Sequence, residues 1–143
     1  MAKTAETVSP FEGSSLPQVT FKGAVFSASG EGRKFMSLPW VRRQIQEKLG
    51  FTPYPGTLNL RLTEKSVQRK KLLEKIRKFK IVPENGYCTG TLIEARIDGV
   101  KCGILIPQVP NYPRDLLEVT AASNLREHFK LDDGSEVCVT VEL

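Results

Sequence analysis

Three short runs in this chain carry residue types that could handle a phosphorylated or metal-bound ligand. In Gly30-Glu31-Gly32-Arg33, two glycines let backbone amides approach a phosphate closely while an arginine adds a bidentate charged fork. Glycines that follow a strand also make ordinary turns, so the run alone leaves both readings open. Thr57 and Asn59 stand two residues apart in an alternating segment, so both side chains leave the same face, and both offer a neutral oxygen. Mg²⁺ takes oxygen ligands and keeps several waters, so two neutral protein oxygens with nucleotide phosphates would make a coordination sphere. Thr and Asn on the outer face of a strand beside a turn are equally common without a metal. Glu118 is either an outward-facing strand residue or a carboxylate aimed at a hydroxyl, and its own neighbours do not separate the two.

No Ser/His/Asp or Cys/His arrangement is present. His128 is the only histidine, in the polar run Arg126-Glu127-His128, and reads as a surface or structural residue. Cys88, Cys102 and Cys138 have no C-x-x-C spacing and read as buried free thiols in a reducing compartment, without a zinc site or a disulfide framework.

The elements that must position these residues are short. Val19–Phe26 is β-branched and aromatic and delivers the glycine-containing loop at 27–33. Ser37 is placed to cap a helix in which Trp40, Val41, Ile45 and Leu49 recur at helical spacing, Pro39 sits in the first turn and Gly50 ends it. The turn-rich 51–56, with two prolines, leads into Thr57–Leu62, a half-buried strand with Leu58, Leu60 and Leu62 inward. Residues 64–80 are strongly basic with a narrow stripe of Val67, Leu72, Leu73, Ile76 and Phe79, which predicts a solvated surface helix. Strands are expected over 88–97 and 101–106 around an Asp98-Gly99 hairpin turn, then over 116–120 and 137–141. A Pro-rich loop at 107–113, a helical turn near 123–129 and a turn at 131–136 separate them. Five or six short strands with one good helix imply a mainly β domain, a small closed barrel, rather than a βαβ sheet.

With 143 residues, 40% hydrophobic and 26% charged, the chain has ordinary globular composition and length for one core. Residues 1–17 read as a flexible leader or tag remnant and 18–143 as a single domain. A net charge of +5 favours anionic partners without choosing among nucleotides, phosphates and nucleic acid. No stretch approaches the roughly 18 apolar residues that span a bilayer, and the N-terminus has no secretory pattern, so a soluble cytoplasmic protein is expected.

Taken jointly, the motifs resemble a known family. Gly30–Arg33 followed by Phe35-Met36-Ser37-Leu38-Pro39, then Leu49-Gly50-Phe51-Thr52-Pro53-Tyr54-Pro55-Gly56-Thr57-Leu58-Asn59-Leu60, is similar to the CTP-dependent riboflavin kinases known chiefly from archaea. So is Leu125-Arg126-Glu127-His128-Phe129 with the trailing Leu131, Asp133 and Gly134. The resemblance runs over about 19–143, is thinnest at 63–90, and is most specific at Gly56-Thr57-Leu58-Asn59.

That resemblance implies a six-stranded cradle-loop barrel, riboflavin and CTP as substrates, FMN and CDP as products, and Mg²⁺ as the metal. Carried over by position, Thr57 and Asn59 would ligate Mg²⁺, and Ala28, Ser29, Gly30, Glu31, Gly32 and Arg33 would wrap the phosphates. Asn124, Leu125, Arg126 and Glu127 would form the second nucleotide-contacting segment, and Glu118 and Pro110 would lie against the flavin, with Glu118 near the reacting hydroxyl. The chain departs from the family pattern at three places: Ala28 where a glycine is usual, Pro110 at a flavin-contacting threonine, and Ala122 at a proline. A monomer is expected, with no membrane or nucleic-acid partner. The alternatives are a non-catalytic nucleotide- or flavin-binding barrel, and a swapped-hairpin DNA-binding module, whose cadence of Leu, Arg, Glu, Phe and Gly the 125–141 segment shares.

Overall fold

The computed structural model describes residues 17–28, 30–84 and 86–143. The leader expected over 1–17 lies outside these residues except for Pro17, whose carbonyl accepts the Leu143 amide at 2.9 Å. Strands are β1 (Gln18–Phe26), β2 (Leu58–Leu62), β3 (Phe79–Ile81), β4 (Gly90–Ile97), β5 (Val100–Pro107), β6 (Leu116–Ala121) and β7 (Glu136–Glu142). Helices are α1 (Glu31–Met36), α2 (Pro39–Leu49), α3 (Glu64–Arg69) and α4 (Leu125–Phe129), with a 3₁₀ segment at Lys70–Lys75.

The sheet runs β3-β4-β5-β6-β2-β1-β7, antiparallel throughout. β7 also pairs β4 at Arg96↔Thr140, which closes six strands into a barrel and leaves β3 as an added edge strand. The closed six-stranded barrel is the architecture expected from the sequence. Closure removes the open edge that a short-stranded sheet otherwise presents. Inside, Phe21, Leu60, Ile93, Ile104, Val119, Val139 and Val141 are wholly buried, and Leu58, Leu60 and Leu62 face inward as the alternation requires. The β4–β5 hairpin turns at Asp98-Gly99, where both residues take positive φ, as a type I′ turn demands.

The longest α-helix of the described residues, α2, lies on the outer face of this barrel. Trp40, Val41, Ile45 and Leu49 pack with Met36 against Leu92, Leu105 and Ile81, a second core outside the first. Its N-cap is Leu38, not Ser37: the Ser37 hydroxyl bonds back to the Arg33 carbonyl at 2.8 Å and closes α1 instead. Glu31–Met36, read as loop at its start, is a helix of six residues, too short to show a periodic signal.

The expected helix over 64–80 is also corrected. Thr63 caps α3, accepting the Ser66 amide at 3.3 Å, but the helix tightens to 3₁₀ after Arg69 and ends at Ile76, whose backbone is extended. The tightening carries Leu73 and Ile76 into the barrel core, and Phe79–Ile81 then finds free backbone groups on β4. The thiols differ too: Cys102 is buried and its pKa is pushed up to about 12 by that burial, whereas Cys138 is exposed and Cys88 half-buried. Among the described residues, no helix is long and apolar enough to cross a membrane.

Candidate active site

Strand register brings together residues that are far apart in the sequence. Asn59 on β2 pairs with Phe26 on β1 and with Glu118 on β6, and Glu118 pairs with Leu105 on β5. Their strand neighbours Val25, Leu58, Val119 and Ile104 fill the barrel, so this row of four faces outward. A cavity of about 840 Å³ lies over the row. Arg33, Lys34, Arg61 and Arg126 bring four cationic groups to it against the carboxylates of Asp115 and Glu118, and Thr57, Asn59 and Tyr112 bring neutral oxygens and the asparagine amide. That charge balance suits a ligand with several negative charges next to a neutral polar one.

One wall of the cavity is the loop leaving β1. Gly30 caps α1 with φ 92°, a left-handed conformation that side chains with a Cβ rarely adopt. Gly32 sits directly on Thr57: a Cβ at position 32 would stand 2.5 Å from the Thr57 hydroxyl. The Thr57 hydroxyl points along the strand toward the Asn59 side-chain oxygen, 3.4 Å away. Arg42 holds the preceding turn through the Pro53 carbonyl at 3.0 Å, and the Tyr54 amide donates to Ala121 at 2.8 Å. Of the loop residues singled out by sequence, Ala28, Gly30, Gly32 and Arg33 line the cavity, Glu31 opens α1, and Ser29 lies outside the described residues.

The 124–127 segment meets the same cavity from the other side. Asn124 caps α4, accepting the Glu127 amide at 3.3 Å, and donates through its side chain to the Tyr54 hydroxyl at 3.1 Å. Arg126 donates to Asp133 at 2.6 Å and to the Ser27 hydroxyl at 3.2 Å, while Ser27 donates to Asp133 at 3.0 Å. This triangle ties the start of the Gly30 loop to α4. The hydrogen bonds from Arg126 and then from Ser27 hold the Asp133 carboxyl below its usual range. A side pocket of about 150 Å³ opens between Arg33, Thr57, Asn124 and Arg126. Leu125 lines it in part but is buried in the barrel core, Glu127 is exposed, and His128 is a surface residue stacked edge-on to Phe129.

On the third side, Glu118 accepts a hydrogen bond of 2.6 Å from the Tyr112 hydroxyl. Burial first, and then this bond, raise the phenol's pKa, so Tyr112 remains a donor. Pro110 is exposed, in the turn Pro110-Asn111, and does not line the cavity; Val109 and Tyr112 on either side of that turn do. Tyr112, Lys34 and Arg61 were not found by sequence reasoning. For Arg61 a signal existed, since it continues the outward face of Thr57 and Asn59; for Tyr112 only its aromatic ring in a Pro-rich loop pointed that way.

The oxygens at Thr57 and Asn59 suit a hard cation. Adjacent ligands in an octahedron with bonds of 2.0–2.1 Å lie about 2.9 Å apart, and the observed 3.4 Å between them is within reach of a small side-chain adjustment. Among the described residues no group of three or more His, Cys, Asp or Glu gathers, so an ion here would rest on these neutral oxygens and on its substrate.

A protein-family model named CTP-dep_RFKase, described as a domain of unknown function, DUF120, matches residues 25–141. A riboflavin kinase of Ignicoccus hospitalis is 41% identical over 127 residues, covering 86% of this chain and 71% of that protein. Those of Archaeoglobus fulgidus and Methanocella arvoryzae are 39% and 43% identical, covering 87% and 85% of this chain. The chain spans 55% and 56% of the length of these last two relatives. A match over most of the chain, with this identity and with the expected barrel, is decisive: the chain belongs to the CTP-dependent riboflavin kinase family.

Proposed function

We propose that this chain transfers the γ-phosphate of CTP to the 5′-hydroxyl of riboflavin, giving FMN and CDP, with Mg²⁺ as its metal. The observation that carries the reading is convergence: Arg33, Thr57 with Asn59, Glu118 and Arg126 come from separate stretches and meet at one cavity. Family membership supports the same reaction.

In this reading the triphosphate lies along the Gly30 loop, with Arg33 and Arg126 as forked partners for its oxygens. The base and ribose extend toward Asn124 and the side pocket beside Tyr54. Thr57 Oγ1 and Asn59 Oδ1 would hold Mg²⁺, which neutralises phosphate charge when bound. The flavin occupies the part of the cavity walled by Leu105, Val109, Tyr112 and Glu118, with its ribityl chain toward Asn59. The 5′-oxygen attacks the γ-phosphorus in line; the bond to the β,γ-bridging oxygen breaks, CDP carries away that electron pair, and the hydroxyl proton passes to water. Little covalent chemistry falls to the protein, so positioning and charge stabilisation supply most of the rate. Glu118 then serves chiefly as an acceptor that orients the flavin.

The test is incubation of the chain with riboflavin, Mg²⁺ and each of the four common triphosphates, following FMN by chromatography. FMN is expected with CTP at more than about ten times the kcat/KM seen with ATP. A purine would leave polar groups meant for the cytosine edge unpaired, at about 1–3 kcal/mol each. Equal use of ATP and CTP overturns the donor assignment, and absence of FMN with all four overturns the activity.

A further inference from the structure

Tyr112 reaches the cavity through a chain of local causes. Asn111 takes φ 62°, a left-handed conformation that asparagine tolerates better than most residues, and the backbone turns there between Pro110 and Tyr112. Beyond it the strand β6 is pinned at its start from behind. Lys70, at the head of the 3₁₀ segment, donates to the carbonyls of Arg114 at 3.0 Å and Leu116 at 3.2 Å. Its ammonium also stands 5.8 Å from the centre of the Tyr112 ring. Burial lowers the Lys70 pKa, and the nearby Asp115 carboxylate opposes that shift.

The phenol so held donates to Glu118 Oε2 at 2.6 Å, inside the 2.5–2.7 Å range of a charge-assisted O–H···O⁻ bond. A glutamate carboxyl on its own rotates over a broad range about its terminal torsion. The Tyr112 bond restricts that rotation.

We infer that Tyr112 is a positioning residue for the flavin side of the site, acting through Glu118 by fixing the orientation of its carboxylate. The inference rests on the proposed kinase reading and adds to it a residue and a division of labour: Glu118 meets the substrate, and Tyr112 meets Glu118. Lys70 supports both from behind the loop, which gives the basic 64–75 segment a part in the site although none of its residues lines the cavity.

The test is steady-state kinetics with riboflavin varied at saturating CTP, together with flavin-fluorescence quenching without nucleotide. In Tyr112→Phe, which removes one hydroxyl, KM and Kd for riboflavin should rise about tenfold while kcat stays within about threefold and KM for CTP is unchanged. Glu118→Gln should raise KM for riboflavin as well. The double variant should be no worse than Glu118→Gln alone, because both changes act through one contact. Wild-type riboflavin affinity in Tyr112→Phe overturns the inference, as do singles whose effects multiply in the double, since Tyr112 would then touch the substrate itself. Parallel losses in thermal stability and in CTP KM overturn it too, by making the role structural. A near-ultraviolet tyrosine difference spectrum at neutral pH supplies a readout that does not require Tyr112→Phe to fold: loss of the carboxylate acceptor in Glu118→Gln should blue-shift the tyrosine absorption edge relative to wild type, and an unchanged spectrum counts against the pair. Failure of the kinase reading is distinguishable, because it appears as absent FMN formation by the wild-type chain.

Discussion

Gly32→Ala should lower turnover steeply without harming the fold. Gly32 lies inside α1, where alanine is conformationally acceptable and favours helix by about 1 kcal/mol over glycine. Helix propensity therefore predicts an unchanged or slightly higher Tm. The new methyl group would stand 2.5 Å from the Thr57 hydroxyl, whereas nonbonded carbon contacts settle nearer 3.5 Å. Something must yield by about 1 Å: either Thr57 rotates its hydroxyl away from Asn59, or α1 lifts off the strand and takes Arg33 with it. Both displace groups assigned to the ion and the phosphates. A displacement of 1 Å can cost about 10²-fold in rate, so kcat/KM for CTP is expected to fall about 10- to 100-fold, with a higher Mg²⁺ requirement if Thr57 is what moves. The assay is FMN formation with CTP and Mg²⁺ each varied, beside a thermal melt. Activity within twofold of wild type at limiting Mg²⁺ refutes the close packing of the glycine loop on Thr57 as a functional feature. A large fall in Tm refutes the separation of stability from activity.

Thr57→Ala and Asn59→Ala should each leave the barrel folded and lower FMN formation at least about tenfold, and the doubly substituted protein should be little worse than the poorer single one, since both act through one ion; unchanged turnover at limiting Mg²⁺ in both would sink the metal assignment. Asp133→Asn should release Arg126 and loosen the tie between Ser27 and α4, raising KM for CTP more than KM for riboflavin, as measured with each substrate varied in turn. The pH dependence has a definite sign: the Asp133 carboxyl is depressed in the fold by Arg126 and Ser27, so its contribution is complete above the ordinary carboxylate pKa of about 3.9 and is lost as pH falls through the lower folded value. Any Tm difference between wild type and Asp133→Asn should therefore be present near neutrality and vanish in strong acid; a difference that grows on acidification contradicts the triangle.

Properties set by immediate neighbours were legible in the sequence. Alternation at 57–62 told which residues face the barrel and which leave it, because successive strand side chains point to opposite faces. Spacing at 40–49 identified α2 and its buried stripe, and Asp98-Gly99 identified a hairpin because only such residues accept two positive φ values in a row. The motif at 56–59 pointed to the family before any contact was known. Tertiary structure decided the rest. That 64–80 divides into α3, a 3₁₀ turn and β3 follows from burial of Leu73 and Ile76 and from the free edge of β4, partners that lie outside the segment. That Glu118 stands beside Asn59 is a matter of β2–β6 register, and its bond to Tyr112 depends on a turn at Asn111 and a lysine more than forty positions earlier in the chain. The Gly32–Thr57 contact and the Ser27–Arg126–Asp133 triangle likewise join segments that only barrel closure brings within reach. A local pattern records which way a side chain leaves the backbone, but what it meets there depends on contacts between distant residues, and those exist only once the chain has folded.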